Sequence, residues 1–170
     1  GGMTEPLRIL TTEIQPWRFL KDRAESDLGF PLEFIEMDFN SAQRSAALDP
    51  ASYDVYDQCF HNLDIVWYWR AVQAIDTRRI THWDDLGELS RMPGAPGRQA
   101  LGDVPASRLF VQHDMTLSNS PTGQISMLPT FYNFDSFAVE TTDVDVDRDI
   151  VSWAELLNPK WAGRVALVDE

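Results

Sequence analysis

The sequence predicts an α/β fold built on a doubly wound, mostly parallel sheet. Three observations carry that expectation. Short apolar runs of strand length stand at 7–10, 32–37 and 53–59. A stretch with helical spacing follows each of them. Turn and capping residues mark the junctions, and such β-then-α alternation is the pattern of a parallel sheet with helical crossovers.

Taken in order, 7–10 (Leu-Arg-Ile-Leu) opens the first strand. Pro16 starts a helix that runs to about Ser26, with Trp17, Leu20 and Ala24 on one face, and Gly29 ends it. The second strand is 32–37. Asn40 or Ser41 caps the next helix, which carries Ala42, Ala46, Ala47 and Leu48 and stops at Pro50. The third strand is 53–59. Asn62 begins a helix rich in Leu63, Ile65, Val66, Trp67 and Trp69, whose aromatic residues read as packing on the sheet.

The middle of the chain is less regular. Ile80, Trp83, Leu86 and Leu89 have helical spacing over 77–89. Residues 90–105 hold Pro93, Gly94, Pro96, Gly97, Gly102 and Pro105 and read as a loop, the worst-patterned stretch running on to Gly123. Strand pieces are expected at 109–112, 125–128 and 136–140. Asp143, Asp145, Asp147 and Asp149 then alternate strictly. An EF-hand loop counted from Asp143 would need glycine where Arg148 stands and glutamate where Ala154 stands, so this run reads as a solvated acidic linker. Beyond it, Ser152 with Glu155 three residues later has the form of a capping box. Pro159 ends that helix, Gly163 permits a turn, and 165–168 is a short apolar strand.

Composition narrows the function. The chain has 170 residues, long enough for a real core, and 44% of them are apolar. No apolar run approaches the length of a membrane-spanning helix. A formal net charge of −13 disfavours nucleic acid, whose phosphates would be repelled. The single cysteine, Cys59, leaves no internal disulfide and no multi-cysteine metal site; it reads as a buried small residue rather than a nucleophile. His61, His82 and His113 lie far apart in sequence. Neither a G-x-S-x-G elbow, a phosphate-binding glycine loop nor an H-E-x-x-H motif is present, so no catalytic residue, metal or cofactor is expected.

Several short motifs, in order, carry a resemblance. Tyr53-Asp54-Val55-Tyr56 opens the third strand, Val72-Gln73-Ala74-Ile75-Asp76 follows the third helix, and Met127-Leu128-Pro129 opens a crossing segment. Ser152-Trp153-Ala154-Glu155-Leu156-Leu157, Pro159 and Gly163-Arg164-Val165 follow. This series resembles the solute-binding proteins of bacterial ABC transporters, the polyamine-binding-like group of type II periplasmic binding proteins. The resemblance implies lobe one of that fold over 4–140, the acidic linker as a crossover over 141–150, and the start of lobe two over 151–170. It further implies a longer two-lobed protein, located in the periplasm, that delivers a small solute, such as an amine or polyamine-like compound, to the membrane subunits of an importer. With no second lobe to join, the strand at 165–168 would be satisfied by self-association. An enzyme on the same fold, or an interaction domain completed by another chain, are the readings of other classes.

In such sheets ligands bind beyond the carboxyl ends of the strands. By position the ligand-binding candidates are Thr12 and Glu13 after the first strand and Asp38 and Phe39 after the second. Phe60 and His61 follow the third, and Tyr132, Asn133 and Asp135 belong to the crossing segment. Carboxylates with aromatic faces suit a cation, while threonines and helix-start amides suit a carboxylate. Phe60 and Tyr132 read equally well as core, and His61 as a capping or solvent-facing residue. Where polyamine binders of the group place aromatic residues just after the first strand, this chain has Thr12 and Gln15. Their small-polar-aromatic triplet after the third strand is Cys59-Phe60-His61 here, so the motifs do not name the solute.

Overall fold

The computed structural model describes residues 5–14, 17–87, 105–130, 137–149 and 152–166. The chain divides into two compact units, Gly1–Tyr132 and Asn133–Glu170.

The first unit begins as a β-α-β-α-β run: β1 (Leu7–Thr11), α1 (Arg18–Leu28), β2 (Leu32–Glu36), α2 (Phe39–Leu48) and β3 (Val55–Asp57). The three strands form one parallel sheet in the order β2-β1-β3. Gly29 stops α1 in the left-handed region at φ +79°, its N–H donating to Glu25 O. Glu25 also accepts from Lys21 and from the Leu32 N–H, so one carboxylate ties the end of α1 to the start of β2. Those two donors hold its pKa below the ordinary value. The cap of α2 is Asp38 rather than Asn40 or Ser41, because Asp38 has the extended backbone a cap needs and accepts from Ser41 N–H at 3.0 Å.

The core lies between β1, α2 and α3 (Leu63–Tyr68). Ala42 and Ala46, one turn apart on α2, are completely buried. Their small side chains let the helix backbone approach Leu10 of β1, Tyr53 and Trp67. The Tyr53 hydroxyl, buried there, donates to Ala46 O at 2.8 Å. Of the expected aromatic face of α3, Trp67 is buried but Tyr68 and Trp69 are exposed. The helix ends at Tyr68, with Arg70 and Ala71 N–H capping back onto Trp67 and Val66, so the last two aromatics leave the packed side.

The second half of this unit departs from a mostly parallel sheet. Short strands β4 (Ile75–Asp76), β5 (Phe110–Val111), β6 (Leu117–Ser118) and β7 (Gln124–Ile125) make a separate antiparallel sheet, ordered β4-β7-β5-β6. The reason is chain length. Only five residues join β5 to β6, enough for a hairpin but not for a parallel crossover. Thus part of the expected loop up to Gly123 is sheet, while 88–104 lies outside the described residues. Leu109, Phe110 and Ile125 form a second small core. Of the helix expected over 77–89, the described part is two 3-10 turns, Thr77–Arg79 and Trp83–Asp85, and 88–89 lie outside the described residues. The first is set by Asp76, whose carboxylate takes the Arg78 N–H and guanidinium and is held at a pKa of about 2 by them.

In the second unit, residues 137–140 are not a strand; the Phe137 ring instead meets Trp153 edge-on at 4.9 Å. The acidic linker contains a four-residue helix, α4 (Val146–Asp149), whose first N–H groups donate to Asp145. Ser152 caps the turn Trp153–Leu157, accepting from Ala154 N–H, but Glu155 does not complete a capping box. Its carboxylate accepts from Trp161, Asn158 and Lys160 instead. Gly163 turns at φ +74°, and Val165 and Ala166 belong to no strand; 167–170 lie outside the described residues. Among the described residues, no helix is long and apolar enough to cross a membrane.

Candidate functional site at the carboxyl edge of the parallel sheet

Parallel strands bring all three of their carboxyl ends to one edge. Thr11 ends β1, Glu36 ends β2 and Asp57 ends β3. The loops that follow are joined to one another. Met37 N–H donates to Thr11 O at 3.1 Å, extending the β1–β2 ladder by one rung. The Thr11 hydroxyl, in a residue only 1% exposed, donates to Asp57 Oδ2 at 2.9 Å and accepts the Glu13 N–H at 3.2 Å. Trp17, at the entry to α1, donates its indole N–H to the same Asp57 oxygen at 3.0 Å. The Phe39 ring, first in α2, stacks on His61 with centroids 6.0 Å apart and planes at 27°.

Six of the nine sequence-predicted positions can be placed on this edge. Thr12 is half-buried and Glu13 exposed in the β1 loop. Asp38 is spent as the α2 cap, accepting both the N–H and the hydroxyl of Ser41, which lower its pKa. Phe39 and His61 are exposed and stacked. Phe60 is half-buried, with the Arg108 guanidinium 5.4 Å above its ring and His61 edge-on. Arg108 also pairs with Asp64 at 2.8 Å, so the β3–α3 loop is held from the side of the second sheet. Tyr132, Asn133 and Asp135, with Phe134 between them, lie outside the described residues.

Cys59 is exposed, contrary to its reading as a buried small residue. β3 ends at Asp57, so strand alternation no longer decides which way Cys59 points. Asn62 starts α3 but does not cap it with its side chain; it is buried, and its Nδ2 has no hydrogen-bond partner among the described residues. Beneath the edge, burial pushes the Tyr56 hydroxyl pKa up. The Gln58 amide beside it works the other way, although its Nε2 makes no well-formed hydrogen bond.

Asp57, Trp17 and Arg108 are the residues that sequence reasoning missed. Asp57 had a readable signal, a carboxylate closing an apolar strand at the end where ligands bind. Trp17 read as a core residue of α1, and Arg108 carried no signal in a stretch taken for a loop. Trp17 also lines an open apolar groove of about 490 Å³ with Phe19, Leu20, Leu86 and Leu128. Among the described residues no cluster of three or more His, Cys, Asp or Glu is placed to hold a metal ion. No family model matches the chain, and neither a curated protein nor a solved structure does.

Proposed function

We propose that this chain binds a small solute at the carboxyl edge of its parallel sheet, as one lobe of a type II periplasmic binding protein that serves an ABC-type importer. The observation that carries the reading is the joining of the three strand-end loops, through Thr11–Asp57, Trp17–Asp57 and Phe39–His61. Polar groups and aromatic faces are thereby pre-positioned from three separate segments, as a small-ligand site requires. The strand order β2-β1-β3 supports the same fold, since parallel strands added on both sides of the first are how a doubly wound sheet begins. In this reading 141–150 is the crossover, the stretch from 151 begins lobe two, and the membrane subunits of the importer are the protein partner. Self-association through the C-terminal unit belongs to the same proposal, with Trp153 and Leu157 exposed there. Light scattering on the chain and on a version cut after Asp149 compares the two states.

A thermal-stability screen of small solutes tests the function. A true solute gives saturable stabilisation, about 2.7 kcal/mol at a hundredfold excess over its Kd, and is recovered unchanged. Phe39→Ala and His61→Ala weaken that stabilisation. Conversion of the solute would make the chain an enzyme, and stabilisation indifferent to both substitutions would move the site elsewhere.

A further inference from the structure

We draw no further inference here: the strongest candidate, the open apolar groove of about 490 Å³ that Trp17, Phe19 and Leu20 at the start of α1 form with Leu86 and Leu128, is an apolar face with nothing in the structure to show what covers it.

Discussion

The two ends of β3 treat their carboxylates in opposite ways. At the amino end, Asp54 receives the Arg8 backbone N–H at 2.8 Å and two guanidinium N–H groups at 3.2 Å, while a third reaches Ala51 O. At the carboxyl end, Asp57 has two neutral donors on one oxygen and, among the described residues, none on the other. The strand is short enough that both belong to one rigid piece of sheet. The difference teaches where the sheet spends its polar groups on itself and where it leaves one for something else. Closure at the amino end is a stability feature, and incomplete satisfaction at the carboxyl end is what the proposed binding edge would require.

Substitutions along this axis can break or sharpen that contrast. The largest effect is expected midway, at Leu10, which is buried against α2 and shared by both ends. Leu10→Ala should cost about 2–5 kcal/mol in urea unfolding and loosen both ends together. If solute binding survives it untouched, the two ends are not one rigid piece. Next is Tyr53→Phe, which removes the buried hydroxyl bond to Ala46 at the amino end and should cost about 1 kcal/mol while leaving binding alone.

Arg8→Ala should have a smaller effect, and one that depends on pH. Arg8 holds the Asp54 carboxyl below its ordinary value of 3.8. A lowered folded-state value stabilises the protein above the unfolded value, and that gain is lost as pH falls through the folded one. The difference in melting temperature between the parent and Arg8→Ala should therefore be full near neutrality and shrink as pH drops below about 4. A difference that stays constant down to acid pH would mean that the ion pair is not what closes this end. The smallest effect on stability is expected from Asp57→Asn, less than about 1 kcal/mol by thermal unfolding, since both donors keep an acceptor. A loss equal to that of Tyr53→Phe or greater would show Asp57 to be as structural as Asp54, and the contrast would disappear.

Much of the first half of the fold was legible because its signals are local. Apolar runs of strand length mark β1, β2 and β3, and Gly29 stands where a left-handed residue ends α1. Bounds were less so: β3 covers only Val55–Asp57 of the expected 53–59, which is why Cys59 escaped burial. The cap of α2 was misplaced by two or three residues because Asp38, Asn40 and Ser41 all have capping side chains. Backbone conformation, not residue type, chose among them. At the site, strand-end positions named Thr12, Glu13, Asp38, Phe39, Phe60 and His61 without distinguishing a spent carboxylate from an open one.

By itself, then, the sequence determined the β-α-β-α-β order of the first unit. Helix spacing, strand length and turn residues act within a few positions of one another. Tertiary structure alone decided the antiparallel second sheet, the Arg108 contact to Phe60 and Asp64, and the state of Asp57. The partners of that carboxylate, Thr11 and Trp17, lie 46 and 40 positions away along the chain. Only parallel pairing of β1 with β3 brings them within hydrogen-bond reach, and no local pattern records which of its two oxygens they leave free.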